Sequence, residues 1–117
     1  MMAVKDNEAR DDEFPSIPKI DRLIHEPARL TIVAHLFVVE SADFLFLQHQ
    51  TGLTWGNLSS HISKLEAAGY VEVIKEFIDK KPHTALRLTN KGRNAFNEYR
   101  QNMKHVFEEL PSSRKRG

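Results

Sequence analysis

Residues 53–71 read LTWGNLSSHISKLEAAGYV, and the organisation of the whole chain follows from this stretch. Thr54 carries a hydroxyl oxygen that accepts from the free backbone N–H groups of a first helical turn, and Gly69 tolerates the left-handed conformation that ends a helix. The spacing between them predicts a helix over 54–68. Leu58, Ile62 and Leu65 fall at i, i+4 and i+7 and share one face, while Asn57, Ser60, His61 and Lys64 fall on another. One stripe is apolar; the other combines hydroxyls, an amide, an imidazole and a cation. An isolated helix of this kind is ordinarily just solvated on its polar side. Here the short donors and acceptors suit a surface that reads hydrogen-bonding edges at close range, as a helix in the major groove of DNA must.

On the C-terminal side, Tyr70, Val71, Val73 and Ile74 read as a strand and residues 84–88 as a second one. Residues 77–83 between them read as a loop with two adjacent lysines, Lys80 and Lys81, in which Pro82 disfavours further ladder pairing. Thr89 then caps a long helix whose Ala95, Phe96, Tyr99, Met103, Val106, Phe107 and Leu110 recur at three- and four-residue spacings, with Pro111 as the stop. On the N-terminal side, Pro27 suits the first turn of a helix running to about residue 39. Leu30, Val33, Ala34, Phe37 and Val38 form its buried face, broadened by Ile32 and Leu36. Ser41 or Asp43 caps the next segment, where Phe44, Leu45 and Leu47 are expected to face the core and Gln48 and Gln50 to approach phosphates. Gly52 supplies the tight turn into Thr54. Three helices therefore precede the hairpin, and the last two form a helix-turn-helix.

The run NLSSHISKLEAAGYV, the hairpin pattern after it and LRLTNKG resemble the winged-helix DNA-binding domains of the MarR/ArsR-like transcriptional regulators, in particular the small single-domain group, over residues 20–110. The resemblance implies an α+β, mainly helical fold: a winged helix-turn-helix with a two-stranded β-hairpin wing and a long C-terminal dimerisation helix. The expected organisation is a flexible arm over 1–18, the winged-helix domain over 19–110 and a basic tail over 111–117 containing Arg114, Lys115 and Arg116. The expected function is sequence-specific binding of double-stranded DNA by a homodimer. Helix 54–68 would lie in the major groove and the wing, 75–87, on the backbone or minor groove. Thr54, Trp55, Asn57, Ser59, Ser60, His61 and Lys64 would face bases and phosphates, with Lys75, Lys80, Lys81 and Arg87 on the wing. Thr54 also reads as a plain helix cap and the lysine pair as a solvated turn. Trp55 departs from the Pro, Lys or small polar residue expected at its place, and is either a packing residue or a contact to sugar or a thymine methyl. Ile20, Leu23, Ile24, Phe96, Tyr99, Met103, Val106, Phe107 and Leu110 are the expected subunit interface, because one small core does not cover so long a stripe. A dimer would set two reading helices roughly 34 Å apart, matching a near-palindromic site.

Composition bounds the alternatives. At 117 residues the chain suits one domain, and no apolar run approaches the roughly 20 residues that span a bilayer, so a cytoplasmic, membrane-free protein is expected. There is no cysteine, which excludes thiolate metal sites and thiol catalysis. His25, His35, His49, His83 and His105 show no metal-ligand spacing, and no cofactor motif or effector-binding constellation stands out. Enzyme readings fail for want of a Gly-rich phosphate loop, a nucleophile elbow or a paired-carboxylate cleft. Net charge is only +1, so attraction to a polyanion must be local. Between residues 54 and 93, Lys64, Lys75, Lys80, Lys81, Arg87, Lys91 and Arg93 outnumber Glu66, Glu72, Glu76 and Asp79, whereas residues 1–13 are acidic on balance. The rival from another class is a winged helix used as a protein-interaction module through Trp55 or the wing. A ligand-responsive switch is a third reading.

Overall fold

The computed structural model describes residues 20–111. The arm expected over 1–18 and the basic residues Arg114, Lys115 and Arg116 lie outside the described residues. The elements run α1 (Pro27–Val38), β1 (Ala42–Asp43), α2 (Phe44–Thr51), α3 (Trp55–Ala67), β2 (Val71–Ile78), β3 (Lys81–Leu88) and α4 (Asn90–Glu108). The fold is α+β and mainly helical, a winged helix-turn-helix in which an antiparallel sheet of order β1-β3-β2 closes one side of the helices.

Local chemistry accounts for the helix boundaries. Asp43, Thr54 and Thr89 each accept a hydrogen bond from a first-turn backbone N–H, those of Phe46, Asn57 and Gly92, and thereby start α2, α3 and α4. Glu26 does the same for α1 through the N–H of Arg29, with Pro27 in the first turn. Gly52 at φ 71° and Gly69 at φ 81° end α2 and the turn after α3 in the left-handed region that other residues avoid.

The core is one cluster. Ile24, Ile32, Val33, Leu36, Leu47, Leu58, Leu65 and Leu86 are fully buried, each stabilising the fold by about 1.5–3 kcal/mol as an upper figure. The N-terminus of α4 is keyed into the end of α3. The Thr89 hydroxyl donates to the Gly69 carbonyl at 2.6 Å and accepts from Gly92 N–H, and Thr89 N–H donates to the Tyr70 carbonyl at 3.0 Å. Further along, Phe96 packs on Phe37 with ring centroids 5.0 Å apart, and the guanidinium groups of Arg93 and Arg100 lie 5.0 and 5.3 Å from the Phe37 ring.

The two-stranded wing is present as expected, and Ala42 and Asp43 add a third strand to it by pairing with Leu86 and Ala85. Several expectations are corrected. The hairpin is longer than expected: β2 and β3 pair without a break from Val71↔Leu88 to Ile78↔Lys81, leaving only Asp79 and Lys80 as the turn, at φ 52° and 66°. Both central residues in the left-handed region make the tight two-residue connection that matches strand twist. Pro82 therefore sits in the ladder opposite Phe77. The pair closing a two-residue turn exchanges hydrogen bonds and the next pair does not, so the ring nitrogen of Pro82 faces away from β2, beyond the reach of the short β1. Val38 is 82% exposed and Leu45 64% exposed, because the buried face of α1 centres on Ile32, Val33 and Leu36 and α2 turns only Leu47 fully inward. Helix α4 ends at Glu108, before Pro111.

Candidate nucleic-acid interface

Leu58, Ile62 and Leu65 anchor α3 in the core and so orient its opposite side outward. Gly56, Asn57, Ser60, Ser63, Lys64 and Ala67 are all exposed there. The middle of this face, at residues 56, 60, 63 and 67, carries nothing larger than a hydroxymethyl group, flanked by the longer Asn57 and Lys64. Backbone can therefore come close to a groove floor while longer donors work from the edge. Ser63 belongs to this face as fully as Ser60 does.

At the start of α3, Trp55 leans on Phe44 with ring centroids 4.4 Å apart, yet remains 58% exposed. The two rings open a cleft of about 520 Å³ between α3 and the sheet, lined further by Ser59, Ser63, Glu66, Lys75 and Thr84. Ser59 is half-buried there.

Arg29 fixes α3 against the preceding chain. Its Nε donates to the Leu23 carbonyl at 2.7 Å and its Nη1 reaches His61 Nδ1 at 3.1 Å. A guanidinium only donates, so His61 Nδ1 accepts and the neutral ring carries its proton on Nε2. Glu26 stands 3.8 Å from the same nitrogen and 4.0 Å from Arg29. The hydrogen bond from Arg29 N–H, helped by the Arg29 guanidinium, holds the Glu26 carboxyl below the ordinary range against burial, the next largest effect, which raises it. Asp21 ties the turn before α1 from both oxygens: Oδ1 accepts from Leu23 and Ile24 N–H, and Oδ2 accepts from the Tyr70 hydroxyl at 2.6 Å. Burial first and this hydrogen bond second push the Tyr70 hydroxyl up to about 12.

Strand alternation sorts the wing into two faces. Lys75 lines the cleft beside α3, so Val71, Val73, Lys75 and Phe77 look toward α3 together with their partners Leu88, Leu86, Thr84 and Pro82. Glu72, Glu76, His83 and Arg87 look the other way. Arg87 Nη2 donates to Glu72 Oε1 at 2.7 Å, which satisfies its charge across the strands. Hydrogen bonding to Glu72 is also what raises the Arg87 pKa above its ordinary value. His83 lies between two carboxylates on different elements, its Nε2 3.6 Å from Asp43 Oδ2 and its Nδ1 3.5 Å from Glu76 Oε2.

A family model described as a winged helix DNA-binding domain matches residues 28–107, which take in α1 through nearly all of α4. The chain belongs to this family. An uncharacterised protein of Methanocaldococcus jannaschii is 38% identical to this winged-helix protein over 78 residues, 67% of this chain and 85% of that one. The solved structure of a transcriptional regulator homologue from Pyrococcus horikoshii OT3 is 32% identical, with a TM-score of 0.71 over 75% of this chain and 87% of its own. A MarR-family regulator from Porphyromonas gingivalis W83 shares the fold at 15% identity, with a TM-score of 0.62 over 93% of this chain and 100% of its own. The winged-helix DNA-binding domain read from the sequence is thus the one the family model matches.

The residues expected at the DNA divide into three groups in this winged helix. Thr54, Trp55, Asn57, Ser60 and Lys64 on α3 and Lys75, Lys80 and Lys81 on the wing are exposed. Ser59 and His61 are partly withdrawn, one into the cleft and one toward Arg29. Arg87 is exposed but lies on the wing face turned from α3. Ser63, absent from the expected set, was within reach of the helical spacing, since it follows Ser60 by three residues and Ser59 by four. Of the expected interface residues, Ile20, Ile24, Phe96 and Tyr99 are used in the chain's own core and Leu23, Met103 and Val106 are half-buried, whereas Phe107 and Leu110 stay exposed at the far end of α4. No helix among the described residues is long and apolar enough to cross a membrane.

Proposed function

We propose that this winged-helix protein is a sequence-specific, double-stranded DNA-binding transcription regulator that acts as a homodimer in the cytoplasm. The observation that carries the reading is the outward face of α3, a row of small polar residues edged by Asn57 and Lys64 and continued across the cleft by Lys75 of the wing. Helix α3 lies in the major groove, with Asn57, Ser60, Ser63 and Lys64 toward base edges and Thr54 and the first-turn N–H groups toward a phosphate. Lys75, Lys80 and Lys81 contact backbone, which positions the protein without carrying sequence information. The exposed end of α4, with Phe107 and Leu110 beside Met103 and Val106, joins two copies. Support comes from family membership and from the 32% identity to a transcriptional regulator homologue.

The test is fluorescence anisotropy with a random duplex pool and genomic fragments, comparing the wild type with an Asn57→Ala/Ser60→Ala/Lys64→Ala variant at two salt concentrations. Selective, salt-dependent binding that loses its selectivity in the variant supports the reading. Equal affinity for every fragment, or a variant that behaves as wild type, rejects it and favours a protein partner. Sedimentation of the wild type against a Phe107→Glu/Leu110→Glu variant tests the dimer separately.

A further inference from the structure

Phe77 is the most exposed aromatic side chain among the described residues, at 75%. It sits next to the end of β2, two residues beyond Lys75, and so on the wing face that looks toward α3. Its cross-strand partner is Pro82, a pair of the closely approaching kind without shared hydrogen bonds. The tip is therefore a narrow blade, one aromatic ring and one pyrrolidine ring wide, closed by the two-residue turn at Asp79 and Lys80. Among the described residues no ion pair engages Lys75, Lys80 or Lys81, in contrast to Arg87, whose charge is held by Glu72. An apolar edge flanked by free cations complements a surface with apolar walls inside a phosphate border. A nucleic-acid groove is such a surface, and with α3 in the major groove as proposed above, the groove that the wing would meet is the flanking minor groove.

We propose that Phe77, backed by Pro82, is an apolar wedge that enters the minor groove flanking the α3 site, partly unstacks one base step and bends the duplex there. This rests on the DNA-binding reading above and extends it. Lys75, Lys80 and Lys81 hold the two phosphate backbones on either side, while the ring trades exposure to water for contact with sugar and base. A wedge of this kind reads how readily a step unstacks, so it adds preference for flexible pyrimidine–purine steps at a position α3 does not touch.

The experiment uses a duplex enriched by the wild-type protein from a random pool, with 2-aminopurine placed in turn at each step and a fluorophore pair at the two ends. Wild type should raise 2-aminopurine fluorescence severalfold at one or two steps outside the α3 contacts and shorten the end-to-end distance. Phe77→Ala should abolish both signals and weaken binding roughly tenfold to a hundredfold, the range for losing one base-stacking aromatic. Its salt dependence and thermal unfolding should match wild type, since no charge and no core contact is removed. Phe77→Trp should restore the signals. The wedge is overturned if wild type binds the duplex but brightens no step, or if Phe77→Ala binds, bends and brightens as wild type does. If wild type enriches no duplex at all, the DNA-binding reading itself falls, and the wedge with it.

Discussion

Gly92→Ala tests how α4 is seated. A Cβ built at Gly92 would stand 2.1 Å from the Tyr70 carbonyl oxygen and 2.9 Å from its carbonyl carbon and Cα, all backbone atoms with no rotamer to change. Relief needs the start of α4 to retreat by about 1 Å. The Thr89 N–H to Tyr70 carbonyl bond, now 3.0 Å, would then stretch beyond bonding distance, and the 2.6 Å bond from the Thr89 hydroxyl to Gly69 would weaken. Losing such bonds costs about 1 kcal/mol each, and residual overpacking about 1–3 kcal/mol. Replacing glycine by alanine in a helix returns at most about 1 kcal/mol. The expected net loss is about 2–4 kcal/mol, which for a domain of this size lowers Tm by roughly 10–25 °C. Gly56→Ala is the control, because a Cβ at Gly56 meets nothing within 4 Å, and it should be neutral or stabilising by up to about 1 kcal/mol. Urea and thermal unfolding of both variants, followed by circular dichroism, decide the matter. Gly92→Ala as stable as wild type would refute the reasoning, since it would mean that the contact yields without cost.

Three further outcomes are expected. With the Tyr70 hydroxyl at about 12, the folded chain keeps its proton after the unfolded chain, near about 10, has lost it. Its stabilisation is thus whole below about pH 10 and is lost as pH rises toward about 12, so wild type should exceed Tyr70→Phe in stability at neutral pH and the two unfolding curves should converge in alkali. Lys80→Ala should lower the salt slope of DNA binding by about one, whereas Arg87→Ala, which removes a cation already paired with Glu72, should leave it unchanged; equal slopes in a titration series would overturn the assignment of the two wing faces. His83 stands between Asp43 of β1 and Glu76 of β2, so His83→Ala should speed amide exchange in β1 and the hairpin at constant pH, and unchanged exchange would show that the bridge adds nothing to the sheet.

Much of the candidate site was legible because helical spacing and capping are local. Leu58, Ile62 and Leu65 against Asn57, Ser60 and Lys64 follow from period alone, and Ser63 needed only the same spacing carried one step further. The fate of His61 was not legible. It falls at the edge between the two faces, and what decides it is Arg29, 32 residues earlier, which a neighbouring helix brings to 3.1 Å. Arg87 was only half legible for a similar reason: its sign could be read, but the strand face it occupies and the Glu72 opposite it depend on register.

The sequence by itself determined where elements begin and end. Asp43, Thr54 and Thr89 cap helices whatever the rest of the chain does, and Gly52 and Gly69 end theirs, because each acts through bonds to residues no more than four positions away. It also determined the order helix, helix, helix, hairpin, helix, and with it the family. Tertiary structure decided what has no local cause. Ala42 and Asp43 form a strand only because Leu86 and Ala85 lie beside them. Val38 and Leu45 remain exposed because the neighbouring elements claim other faces of their helices. Pro82 enters the ladder because β1 stops short of it. In each case the deciding partner is distant in sequence, and only the packed chain brings the two together.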